Sequence, residues 1–270
     1  MINIERARSP YSRGLATARP ARVSAVVVAA GLLAAAAPLG AQDAPVVTPG
    51  DPVLRPDRLR PFEAEYDQLG FTFLARLVRV TAPEPTIDFL MIMEGPNGIG
   101  VDHVGHRASD LSFAYRRFGF SAFGPEHIDA RVIDGILRLG RLPLEADGRT
   151  AVIDEEFPLA GPAVDGTFAY WLTAALPLEE GYRWRWPTWQ PASDGVVFRE
   201  SAPFEVAGRE TVELRSGEIL DAWVVEAVGE GSTARMWVSE EPPYLLRQDV
   251  APAGGEPQTV IELRRLPGRR

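Results

Sequence analysis

The stretch Thr167 to Gln190, TFAYWLTAALPLEEGYRWRWPTWQ, changes its period halfway, and the fold class follows from that change. Val164, Phe168, Trp171, Leu172 and Ala175 recur at the spacing of one helical face. Beyond Pro177 and Gly181, Tyr182, Trp184 and Trp186 alternate with Arg183 and Arg185, as on a strand with one apolar side. The spacing predicts a single helix, with Asp165 as N-cap and Pro177 as stop, handing over to an aromatic-faced strand. A helix of about ten residues is marginal alone and needs to dock on a sheet.

Outward from this stretch the chain reads as short strands. Upstream, Phe62 to Tyr66, Phe71 to Val78, Thr86 to Glu94, Ile99 to Gly105, Leu111 to Phe123, His127 to Ile133, Ile136 to Leu142 and Thr150 to Phe157 are strand candidates. Gly70, the run 95–98 (GPNG) and Asp134-Gly135 mark turns, and Gly119 marks a bulge. Downstream follow Tyr182 to Trp189, Gly195 to Val206, Glu210 to Leu214, Ile219 to Val228, Thr233 to Ser239, Tyr244 to Ala251 and Thr259 to Leu266. Short strands separated by tight turns predict an all-β antiparallel meander, and no composition shift divides residues 62–266.

The ends have a different character. Residues 1–41 read as a secretory signal: Arg6, Arg8, Arg13, Arg19 and Arg22 precede an apolar run from Val23 to Ala37, with cleavage expected after Ala41. That run is shorter than the roughly 20 apolar residues a membrane-spanning helix needs, so no stable span is expected after cleavage, and the expected location is periplasmic or secreted. Residues 42–61, with Pro45, Pro49, Pro52, Pro56 and Pro61, read as an extended tether; residues 267–270 are a short tail. The formal net charge of -9 becomes -13 once the five Arg and one Glu of the signal are removed, which disfavours nucleic acid as a partner. The chain has no cysteine, and all 28 basic residues are Arg. Disulfides, thiolate metal sites and lysine-dependent chemistry are therefore excluded.

Catalytic motifs are not found, and the expectation is a protein that is not an enzyme and takes no cofactor. There is no G-x-S-x-G elbow, S-x-x-K pair or phosphate-binding glycine loop. Asp102, His103, His106 and Asp110 come nearest to a metal set, but on a strand the parity of 103 and 106 sends the two imidazoles to opposite faces unless Gly105 bends the chain. Surface histidines near a hairpin are the plainer reading, and no metal is expected. The acid rows at Asp154 to Glu156, Glu179-Glu180 and Glu240-Glu241 read as solvated loop edges rather than the facing carboxylates of a glycosidase.

Three phrases carry a resemblance: LTAALPLEEGY (Leu172 to Tyr182), FEVAGRETVEL (Phe204 to Leu214) and AWVVEAVGEGSTARMWVSEEPPYLLRQDV (Ala222 to Val250). Together with the order of elements over residues 62–266, they resemble the exported bacterial family known as domain of unknown function 3108. The resemblance implies a strongly curved antiparallel sheet, closed or half-closed into a barrel, with one short helix packed against it, similar in shape to periplasmic lipoprotein carriers. It brings no catalytic residues. Phe73, Phe89, Phe113, Trp171, Trp184, Trp186, Trp223 and Trp237 are the candidate walls of a cavity for a lipid or other hydrophobic small molecule. For any one of them, packing between helix and sheet is the plainer reading. The alternative role is structural, an assembly factor of the cell envelope working through a protein partner.

Overall fold

Alternation of apolar and polar residues builds most of the chain into strands, and in-out burial follows that alternation. The computed structural model describes residues 44–266 apart from 70, 96–97, 121–125, 144–152, 193–194, 230 and 265. The expected signal, the tail, the Gly70 turn and the centre of the 95–98 turn lie outside the described residues. Strands β1 (Phe62–Gln68), β2 (Phe71–Val80), β3 (Thr86–Gly95), β4 (Gly98–Arg107), β5 (Phe113–Phe120), β6 (Glu126–Ile133), β7 (Ile136–Pro143) and β8 (Ile153–Pro158) come first. After the two-residue β9 (Val164–Asp165) come β10 (Arg183–Trp184), β11 (Pro187–Ala192), β12 (Gly195–Glu200), β13 (Phe204–Glu213), β14 (Ile219–Gly229), β15 (Ser232–Val238), β16 (Leu245–Pro252) and β17 (Gln258–Leu263).

Fourteen strands form one sheet in the order β10-β13-β14-β15-β16-β17-β1-β2-β3-β4-β5-β6-β7-β8, and all its pairings are antiparallel. The two halves of the chain join where β1 meets β17, with Tyr66 opposite Leu263. The sheet is open, since β10 and β8 end it and do not pair with each other, so the expected closed barrel is corrected. A second sheet of three strands, β12-β11-β9, includes one parallel pair, β9 with β11.

The large sheet bends around the chain between β9 and β11. In strand order β13 and β5 are nine steps apart, about 43 Å on a flat sheet at the usual inter-strand spacing. Yet Trp184 pairs with Phe204 of β13, and Trp189 has its ring centroid 4.5 Å from that of Phe113 in β5. Five residues of chain span about 17 Å at most, and two side chains added do not reach 43 Å. Residues 163–190 therefore lie in the concavity of a curled sheet. One hydrophobic core runs from β1 through β17 and includes this segment.

Two expectations about local structure change. The predicted α-helix is a seven-residue 3₁₀ helix, Ala169–Ala175, with no side-chain cap, and all seven residues are buried. Asp165 does not cap it; its Oδ1 accepts the amide of Thr167, and its carboxylate is committed to Arg116. A segment buried on every side draws little benefit from an amphipathic α-helix, and the tighter 3₁₀ form suffices for so short a piece. The Pro-rich segment is docked rather than extended away: Val47, Leu54 and Leu59 belong to the core, and the amide of Arg55 donates to Ala175 O at 2.8 Å.

Candidate functional site

Six of the eight aromatic residues singled out in the sequence meet in the interior. Trp171 sits over the sheet with ring centroids 6.1 Å from Phe62, 5.4 Å from Tyr66 and 6.1 Å from Phe89. Phe73 stacks on Tyr66 at 5.2 Å, and Trp184 stacks on Phe204 at 5.2 Å. Phe113 packs on Trp189, and Trp186 is fully buried. The segment 168–176 thus occupies the concave face with its own side chains. It leaves polar atoms buried without a protein partner: Thr173 Oγ1, both ring nitrogens of His106, and the indole nitrogens of Trp184, Trp186 and Trp189.

A buried ion cluster fastens the start of this segment to the sheet. Arg116 of β5 donates through Nε and Nη2 to Asp102 of β4 at 3.0 and 2.7 Å, and through Nη1 to Asp165 at 3.2 Å and Thr167 Oγ1 at 3.0 Å. Two carboxylates share one guanidinium, which also lies over the rings of Phe118 and Phe168. Burial raises the Asp165 carboxyl above its ordinary range, against the opposing pull of Arg116, and the neighbouring Asp102 adds to the rise. Burial opposes the charge on Arg116, but Asp102 and Asp165 outweigh it and hold the guanidinium protonated. At the other end, Arg58 Nη1 donates to Leu176 O at 3.2 Å.

Strand parity separates the two histidines of β4 as read from the sequence. His106 faces the core between Phe89 and Phe113, both edge-on at 6.3 Å, and burial lowers its pKa to about 4. His103 lies on the opposite face, with Nε2 3.0 Å from Asp88 Oδ2, and the Tyr115 hydroxyl donates to the same oxygen at 2.6 Å. Burial alone would raise Asp88, yet the bonds from His103 and Tyr115 hold its carboxyl below the usual range. The Tyr115 ring lies flat over Gly105: a Cβ there would stand 2.5 Å from the ring. The register shift of this strand pair falls at Gly105/His106 rather than at the expected Gly119.

The remaining two aromatic residues lie apart from this cluster and on opposite faces of the sheet, since Trp223 pairs with Val238 and Trp237 with Val224. Trp223 is half-buried, lies under the guanidinium of Arg209, and donates Nε1 to Glu240 at 2.8 Å. Trp237 lines an open groove of about 640 Å³ between β13 and the outer face of β15, β16 and β17. Its indole donates to Glu210 Oε1 at 2.6 Å, and Arg235 and Arg247 lie 5.5 and 5.1 Å from the ring centroid. Glu262, buried on the groove floor, accepts the amide of Arg215. A neighbouring hollow of about 480 Å³ shares Glu210, Trp237 and Asp249 and adds Ala227, Val228 and Ala234. The eight aromatic residues therefore do not line one cavity.

Sequence reading missed the Arg116 cluster and the groove carboxylates. The first had a signal: Asp102 falls in phase with Val104 and His106, and Arg116 with Phe118, so charges stand on the apolar faces of two adjacent strands. The groove had none, because it depends on how a distant hairpin crosses the sheet.

No curated protein and no solved structure matches the chain. A family model does, over residues 144–259, a narrower span than the 62–266 of the resemblance but one that includes all three phrases quoted for it. The match takes in the interior segment, the small sheet and β13 to β16, and stops at the start of β17. Over residues 144–259, the chain is similar to the family described as protein of unknown function (DUF3108).

Proposed function

We propose that this protein acts by binding rather than by catalysis, and that its guest is an apolar chain held against the concave face of the large sheet where residues 168–176 now lie. The observation that carries this reading is the nature of what covers that face. An aromatic surface made of Phe62, Tyr66 and Phe89 is covered through Trp171 by one short, uncapped 3₁₀ helix, while Phe113 beside it is covered by Trp189 of β11. 3₁₀ geometry is poorer than α, and each buried polar atom without a partner costs about 1–3 kcal/mol. Thr173 and His106 are two such residues at this contact. An apolar guest that displaced the segment would keep the burial of the sheet's rings and return Thr173 to water.

On this reading the protein is exported, to the periplasm or outside the cell, and meets lipid or another hydrophobic small molecule there. Its Arg-bearing, apolar start supports export. Among the described residues no helix is long and apolar enough to cross a membrane. The test is native mass spectrometry of protein purified from its own host, followed by organic extraction. An apolar molecule that co-purifies and is lost on extraction is the expected result. Protein that is always empty, and that takes up no acyl probe in solution, would refute the proposal.

A further inference from the structure

We propose that the groove beside Trp237 is a second binding site, for an extended basic peptide that adds as a strand to the open edge of β13. It lies on the opposite side of the sheet from the interior and stands whether or not an apolar guest exists.

The first support is the edge itself. Among the described residues β10 pairs only with Phe204 and Glu205 of β13, and Val206 exchanges backbone bonds with Gly181 and Tyr182. From Ala207 to Glu213 no described strand pairs with that side, although β14 pairs with the other side throughout. The register shift at Val206/Gly208, with Gly208 at φ 134°, is where β13 leaves β10. An exposed run of this length presents alternate N–H and C=O groups outward, as strand addition requires.

The second support is that this half of β13 borders the groove. The groove has five consecutive β13-side residues, Glu210 to Leu214, on one side and Trp237, Arg247, Asp249 and Glu262 on the other. An added strand would be hydrogen-bonded to β13 and would lay alternate side chains on the floor around Trp237.

The third support selects the peptide's charge. Of the acids lining the groove, Glu210 pairs with Arg235, Asp249 with Arg247 and Glu262 with Arg215, which leaves the charge of Glu213 in excess. Glu180 adds a further carboxylate next to Gly208, 3.9 Å from where a Cβ would stand. Most edge strands repel partners with basic residues; this edge carries acids, which exclude acidic strands and steer basic ones.

A fluorescent peptide alternating Arg and Val, titrated by anisotropy against the full chain, tests this. Binding is expected, with slowed amide hydrogen exchange at residues 207–213. Affinity should fall about tenfold or more for Glu213→Arg, an exposed position whose change leaves the circular dichroism spectrum intact, and for peptides with Glu in place of Arg. N-methylation of alternate peptide amides should weaken binding by a similar factor, which separates strand addition from simple charge attraction. Absence of binding at about 1 mM peptide, or binding that leaves 207–213 unprotected and is indifferent to N-methylation, would overturn the proposal.

Discussion

On the concave face, Trp171, Trp184, Trp186 and Trp189 are each at most 2% exposed, and Trp171, Trp184 and Trp189 pack on other rings. Away from that contact, Trp223 and Trp237 each donate the indole N–H to a glutamate and lie under arginine. The same side chain is thus used in two ways within one sheet. Inside, apolar area is buried even where a polar atom goes without a partner; elsewhere, the polar handle is satisfied and the ring serves as a platform between charges. The interior contact should therefore dominate stability, and the groove contact should be free to serve recognition.

The largest test of that difference is Trp171→Ala. Removing a ring that touches Phe62, Tyr66 and Phe89 should cost about 3–5 kcal/mol in urea unfolding and loosen the 168–176 segment. Arg116→Leu comes next, since it leaves Asp102 and Asp165 buried without their shared cation; the expected loss is about 3–5 kcal/mol, relieved in part by adding Asp165→Asn. Equal stability of Arg116→Leu and the parent would mean that the cluster does not fasten the segment.

Acidification probes the interior without mutation. His106 has a folded pKa of about 4, below the 6.5 of the exposed side chain, so the unfolded chain binds the extra proton between these values. Stability from this group is full above about pH 6.5 and falls as pH drops towards 4, by about 3 kcal/mol in all. Asp165 works the other way: its raised pKa means that protonation favours the folded form, so its contribution grows as pH falls. The His106→Leu variant should flatten the decline between pH 6.5 and 4, measured by chemical denaturation at several pH values. The smallest effect belongs to the groove. Trp237→Phe, which loses the bond to Glu210 but keeps a ring, should cost only about 1 kcal/mol. A cost matching that of Trp171→Ala would erase the distinction between the two faces.

Local pattern was legible in the sequence wherever a segment's own residues decide its form. Asp134-Gly135 makes the β6–β7 turn with φ of 51° and 77°, as the dipeptide predicts. The alternation from Tyr182 to Trp186 is reproduced, with both tryptophans buried and both arginines partly exposed. Boundaries were less legible: the expected strand from Gly195 to Val206 breaks at Ser201–Pro203 into β12 and β13, and the expected turn at Ala207-Gly208 is a bulge inside β13. Proline forbids the ladder bond that would have joined the first pair, whereas glycine tolerates the bulge. What lay beyond reach was partnership. Nothing in Phe62 to Gln68 says that Tyr66 meets Leu263, nothing in the Pro-rich segment says that Leu59 enters the core, and nothing in Thr167 to Leu176 says which strands it covers. Periodicity reports which face of a segment is apolar and leaves open what lies against it.

The displaceable interior segment is tested most directly by amide hydrogen exchange over residues 168–176, with and without a soluble acyl probe such as oleate. If an apolar guest takes the place of the segment, exchange there should rise about tenfold or more on probe binding, while β14 to β16 stay protected. Probe binding that leaves 168–176 as protected as before, or no binding at all, would contradict it.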